Sequence, residues 1–314
     1  MKIRKKAVIL AGVMSLALGA AGAANAKDYL FASGSQGGSW FPLAGAIKGI
    51  VEEKNKGITL TVQPGAGIAN VVGISKGKFP IAFANSTSTV DGIKGRPPFK
   101  APAKNVCNLG VLYPQYFQIV ATKSSGIDSL AKIKGAKLTT QPNGNTGELL
   151  TRKLLGFLGL SYKDMASVSY LSYKDSVTQM KDGNANLFTL GTAVPAGAIM
   201  DIASSRKITL VPVTKDIFAK FKAENDAFQL LTIKAGSYPG VDKDVPAVGY
   251  HTHMIAACNA PDELVTAVLS AVADNLKTLS SVNKNLATLT LDVMSADIGV
   301  PMHKAAAAFY ASRK

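Results

Sequence analysis

Little of the chemistry that marks an enzyme is present in this chain. Among 314 residues there are three histidines, two cysteines and one tryptophan. His251 and His253 alternate along an apolar segment and so face the same way. No third histidine or acidic cluster accompanies them, so no zinc site is expected. Ser39 has neither a GxSxG frame nor a recognisable His and Asp partner set, which argues against a serine hydrolase. The glycine-rich stretch 34–39 lacks the terminal Gly-Lys-Ser/Thr of a phosphate loop. No paired carboxylates stand near a polar loop. No catalytic residue, metal or cofactor is therefore expected, and the chain does not read as an enzyme. Basic residues are scattered rather than gathered into a stripe with aromatics, so nucleic-acid binding is not expected despite a formal charge of +15.

Long apolar runs are equally scarce. The one at Ala7–Ala23 follows Lys2, Arg4, Lys5 and Lys6 and precedes Ala24-Asn25-Ala26. That order fits a signal peptide cleaved after Ala26, with an uncleaved anchor as the alternative, and places the mature protein in the periplasm. No cysteine lies near the cleavage point, so no lipid anchor is expected. Nothing later is long and apolar enough to span a membrane. The remaining 288 residues carry +11 and suffice for one large domain or two lobes with their own cores. Such a charge suits an anionic ligand or an acidic partner, or simply solubility through self-repulsion. Cys107 and Cys258 each end an apolar segment. Export permits a disulfide, and two separate buried thiols fit as well.

What the sequence has in abundance is alternation. Strand-like and helix-like segments follow one another for most of the length, the pattern of α/β layering. Strands are expected at 29–33, 59–63, 81–84, 108–121, 136–140, 168–170, 185–190 and 208–213, with Tyr113-Pro114 interrupting the fourth. Helices are expected at 41–54, 69–76, 147–157, 174–181 and 197–204, with a short one in 125–135 and the longest at 262–280. Segment 92–104 reads as a loop by its Pro, Gly and Lys content. The pattern restarts near residue 122, and 234–246 is again loop-like. Lobe one is therefore expected at 27–121 plus 239–314, and lobe two at 122–238. A chain crossing twice between lobes makes a hinge.

In open parallel sheets ligands sit beyond the carboxyl ends of strands, where loops lead into helices with unpaired N–H groups. Gly34–Ser39 fits this description, with Trp40 and Phe41 as either a ligand wall or core. Residues 143–147 form a second such corner, where Asn145 and Glu148 read as a capping-box-like pair. The polar stretches 85–89 and 191–195 follow strands in the same way.

These residues, taken in order, resemble the TAXI-type solute receptors of TRAP transporters. GSQGGSWFPLAGAI looks like that family's glycine-rich opening, and LGVLYPQYFQIVA resembles its Leu-Tyr-Pro-Glu strand. GIDSLAKIKGAKLTTQPNGNTGELL, KDGNANLFTLGTAVPAGAIMDIA, KAGSYPG and GVPMHKAAAAFY follow its later landmarks over nearly the whole mature chain. The resemblance implies a type II periplasmic-binding-protein fold, two α/β lobes with a ligand cleft between them. It implies capture of a small organic anion, such as a carboxylate or an amino-acid-like acid, by hinge closure and delivery to TRAP permease subunits. A monomer is expected. Carried over by position, the cleft is lined by Ser35, Gly37, Gly38, Ser39, Trp40, Asn85, Ser86, Tyr113, Asn143, Asn145, Thr146 and Thr192. Several positions depart from the family pattern. Trp40-Phe41 replaces Tyr-Tyr, Gln115 stands for Glu, Gln118 for His and Asn85 for Gln. Asn143 and Asn145 replace small residues, and Ala193-Val194 a Gly-Tyr pair. Fewer ionisable groups imply recognition by amides and backbone donors. A sensor subunit presenting its closed form to a membrane kinase fits the same residues, and an exported enzyme on this fold is the rival from another class.

Overall fold

A computed structural model describes residues 26–313. The expected signal peptide, apart from Ala26, lies outside the described residues. Strand β1 (Lys27–Ala32), helix α1 (Trp40–Lys54), β2 (Ile58–Gln63), α2 (Gly67–Ser75), β3 (Ile81–Asn85) and α3 (Ser86–Ile93) build a first βα block. The 17-residue β4 (Val106–Thr122) leaves it, and almost every residue of that strand is buried. Next come β5 (Lys137–Thr140), α4 (Thr146–Phe157), β6 (Ser167–Tyr170), α5 (Tyr173–Asp182), β7 (Leu187–Thr192), α6 (Gly197–Ser205), β8 (Ile208–Leu210), α7 (Lys215–Glu224) and β9 (Gln229–Ile233). Strand β10 (Val245–Ala257) returns the chain to α8 (Asp262–Ala273), α9 (Leu276–Val282), α10 (Leu291–Met294) and α11 (Lys304–Ala311).

The ten strands among the described residues join one curled sheet in the order β2-β1-β3-β10-β4-β7-β5-β6, with β8 on β4 and β9 on β10. The two outer groups, β2-β1-β3 and β7-β5-β6, are parallel inside and are joined only through the antiparallel pair β4 and β10. Such groups read as βα units whose helices cover both faces, which explains the near-continuous apolar run of β3. The hydrophobic cores divide at the same place. Tyr113 and Met254 pack with the first block, whereas Phe117 and Tyr250 pack with the second. A third cluster, including Phe188, Ile199 and Tyr238, fills the other face of the second block. Core membership thus changes partway along both crossing strands. Cys107 at the start of β4 and Cys258 just after β10 form a disulfide, with Cα atoms 5.0 Å apart.

Several sequence expectations need correction. Pro114 does not interrupt β4. It sits opposite His251, just ahead of a register shift between Thr252 and His253. A slipped ladder is where a residue without an N–H costs little. Residues 85–89 are not a loop, because β3 passes directly into α3. Segment 125–135 forms only 3-10 turns, and the strand expected at 208–213 ends at Leu210. The helix expected at 262–280 breaks at Asp274-Asn275 into α8 and α9, leaving the 15-residue α1 as the longest helix among the described residues.

Candidate functional site

The loops that follow β1, β5 and β7 meet between the two blocks around a cavity of about 30 Å³. Gly34, Ser35, Gly38, Ser39 and Trp40 approach from the first block, together with Gly67 at the start of α2. Gln141, Asn145, Thr146, Gly147, Tyr173, Gly191 and Thr192 approach from the second, and Gln115 rises from β4 between them. Glycine at 34 and 67 lets these segments close. A Cβ on Gly34 would lie 2.9 Å from the Trp40 ring, and one on Gly67 would lie 2.4 Å from Thr146 Oγ1.

Direct hydrogen bonds hold the facing loops together. The Ser35 hydroxyl donates to Asn145 Oδ1 at 3.2 Å, and Gln141 Nε2 reaches both Asn145 Oδ1 (3.0 Å) and Ser35 Oγ (3.2 Å). Asn85 Nδ2 donates to Thr146 Oγ1 at 2.7 Å, and Ser88 bonds the same hydroxyl at 2.8 Å. The N–H groups of Ile68 and Ala69 both donate to the Gly144 carbonyl, each at 3.2 Å. A second set lies toward one side. Asn225 Nδ2 donates to Asp91 Oδ1 at 2.8 Å and to the Thr87 carbonyl at 3.0 Å, while Arg96 Nη1 donates to the Glu224 carbonyl at 2.6 Å.

The electrostatics come from the backbone. None of the cavity-lining residues is Asp, Glu, Lys, Arg or His. Helices α1 and α4 start at the cavity, and their N-cap residues Ser39 and Asn145 make no side-chain cap. First-turn N–H groups have no intrahelical partner, and each N-terminus carries roughly half a positive charge. The capping box expected from Asn145 and Glu148 is therefore not formed. Glu148 instead accepts from Arg152 Nε at 3.2 Å and from the Tyr162 hydroxyl at 3.0 Å. Those partners, one turn along α4 and in a following turn, outcompete the helix start.

Of the residues carried over by position, Ser35, Gly38, Ser39, Trp40, Asn145, Thr146 and Thr192 line the cavity. Trp40 serves both readings. It is 7% exposed, packs on Phe83 and donates from Nε1 to Thr252 Oγ1 at 3.0 Å, with part of its surface on the cavity. Tyr113 lies just behind, its hydroxyl 3.2 Å from Ser39 Oγ, and burial pushes its pKa up to about 12. Asn85 and Ser86 are buried at the start of α3. Asn85 braces Thr146, while the Ser86 hydroxyl accepts from the His251 N–H at 3.1 Å. Gly37 lines an outer groove with Phe41 rather than the cavity, and Asn143 is exposed on its loop. Gln115, Gln141 and Tyr173 were not among the expected site residues. Gln141 directly follows β5 beside a polar loop, a usable signal, whereas Gln115 lies in the middle of β4 and Tyr173 opens a helix, and neither position gives one.

Among the described residues no group of three potential metal ligands occurs. His253 is fully buried, with Nε2 2.8 Å from Thr89 Oγ1 and Nδ1 3.0 Å from Asn108 Oδ1. Burial lowers its pKa to about 3, so it stands neutral.

Two α/β lobes joined by two long strands, with loops of both meeting at one cavity, define a type II periplasmic-binding-protein fold. Known structures agree. Periplasmic binding protein BugD matches with a TM-score of 0.54 at 13% identity, over 92% of this chain and 94% of that one. A putative L-cystine ABC transporter from Listeria monocytogenes gives 0.51 at 13% identity, over 83% and 97%. A binding-protein component of an ABC phosphonate transporter from Pseudomonas aeruginosa gives 0.50 at 10%, over 83% and 80%. The chain itself belongs to the NMT1-like family, whose model it matches over residues 31–312.

Proposed function

We propose that the protein is an exported periplasmic solute receptor, which captures a small organic anion between its lobes and presents the closed form to a membrane permease. The observation that carries this reading is the meeting of two uncapped helix starts, one from each lobe, at a buried cavity without charged side chains. Lobe one comprises 27–121 plus 239–314 and lobe two 122–238, turning about β4 and β10. Ser35, Gly38, Ser39, Asn145, Thr146 and Thr192 face the solute, and Asn85 and Tyr113 support them from behind. No chemistry on the solute is proposed.

Delivery to a TRAP permease rests on the ordered motifs shared with TAXI receptors. An ABC importer is the second reading, favoured by the names of two structural neighbours that belong to ABC systems. A sensor subunit differs only in its membrane partner. A thermal-shift screen of refolded mature protein against mono- and dicarboxylates, 2-oxo acids and acidic amino acids tests capture, since a ligand of the native state raises the melting temperature by mass action. A flat screen contradicts capture of an organic acid. Uptake that collapses with the ion gradient but survives ATP depletion supports the TRAP reading, and the reverse supports the ABC one.

A further inference from the structure

Resting on the receptor reading, the ligand itself can be narrowed. We infer that the cavity selects a small 2-hydroxy monocarboxylate: one negative charge at the helix starts, and one hydroxyl donated to Gln115. Three observations converge. First, the free positive charge is about one unit. Helix α2 also begins at the cavity, but its Ile68 and Ala69 N–H groups are already given to Gly144. Helix α5 opens at the lining residue Tyr173, but the Ser172 hydroxyl caps it by accepting from the Asp175 N–H, and Asp175 places a carboxylate in its first turn. That leaves α1 and α4, whose two half-charges balance one negative charge and not two.

Second, a residue that lines the cavity carries a buried acceptor that lacks a donor. Gln115 is 2% exposed; its Nε2 donates to Thr252 Oγ1 at 2.5 Å, while its Oε1 has no hydrogen-bond partner. A buried carbonyl left unpaired is costly, so a ligand that supplies an O–H is favoured over one that does not. A ligand ammonium would gain that same carbonyl but no carboxylate, because none lines the cavity. Burying an ammonium without a counter-charge is unfavourable. Third, about 30 Å³ corresponds to roughly two water positions. Two- and three-carbon acids, the smallest organic acids, come nearest that scale, and sugars or long chains lie furthest from it.

Isothermal calorimetry on the refolded mature protein with glycolate, L-lactate, propionate, L-alanine and succinate tests the assignment. Glycolate or lactate is expected to bind roughly tenfold or more tighter than propionate, with alanine and succinate weaker still. Gln115→Leu should bring the lactate-to-propionate ratio toward one. Gln115→Glu, which keeps the shape, should weaken lactate and strengthen alanine. These ratios are internal to each variant, so a stability change does not mimic them. Propionate equal to lactate, or alanine or succinate ahead of both, overturns the inference and leaves the receptor reading in place. Silence from all five overturns the inference, and a flat wider screen would then remove the receptor reading as well.

Discussion

At the residue scale, the cavity is lined by groups that carry no formal charge. That choice was partly legible in the sequence, because Gln115, Gln118 and Asn85 stand where the resembled family has more ionisable or larger polar side chains. Which amides would bond each other was not legible. Asn145 reads as a helix cap by position, yet its carboxamide oxygen takes Gln141 Nε2 and Ser35 Oγ, partners from other loops. The histidines illustrate the same limit. Their alternation along a strand was readable, but the burial that keeps His253 neutral is a tertiary fact. That burial sets a pH dependence. The folded-state pKa of about 3 lies below the ordinary value of 6.5, so the unfolded chain takes up the proton first. Stability is therefore full above about pH 6.5 and falls as the pH drops toward 3. One such group contributes a slope of roughly 1.4 kcal/mol per pH unit within that window. His251 and His303 are also lowered by burial and add to it. Urea unfolding between pH 4 and 6 should show this slope, and His253→Gln should flatten it. An unchanged slope in the variant would contradict a buried neutral His253.

At the element scale, most βα units could be read from period and punctuation, because parallel strands buried on both faces give unmistakable apolar runs. The misreadings share one cause. Pro114, the 85–89 stretch and the break at Asp274-Asn275 are local signals whose meaning depends on what packs nearby. The crossing strands carry two further expectations. The disulfide closes a segment of 151 residues that contains the whole second lobe. In the chain-entropy model, opening such a loop costs about 5 kcal/mol of stability. The double variant Cys107→Ser, Cys258→Ser should lose up to that amount in urea unfolding while keeping its ligand affinity, since the bond lies away from the cavity. Gly67→Ala should act on affinity as well. Its Cβ would lie 2.7 Å from Asn85 Nδ2 within lobe one, so some stability should be lost. The same Cβ would lie 2.4 Å from Thr146 Oγ1 of lobe two when the loops close. Ligand affinity should then fall roughly tenfold or more, because the competent closed form is less populated. Calorimetry beside thermal melting separates the two effects.

At the scale of the whole molecule, the two-lobe plan was legible from the restart of the strand–helix pattern near residue 122. The hinge was legible only as a count of crossings. That both crossing strands belong to one sheet, and change cores partway along their length, follows from long-range pairing that no local pattern encodes. On the receptor reading, that pairing makes closure a rotation of two preformed bodies rather than a folding event. Direct interlobe bonds such as Asn85 to Thr146 and Asn225 to Asp91 would then supply part of the closed state's stability, and the solute the rest. The sole tryptophan, Trp40, lies on the closing cavity and is its natural reporter. The decisive measurement is therefore a titration of refolded mature protein with glycolate, L-lactate and the dicarboxylates, followed by the emission of Trp40. A saturable change with at least one acid, absent from Trp40→Phe protein that still binds by calorimetry, is the expected result. Acid binding by calorimetry with no change in Trp40 emission would place the ligand elsewhere and contradict capture between the lobes.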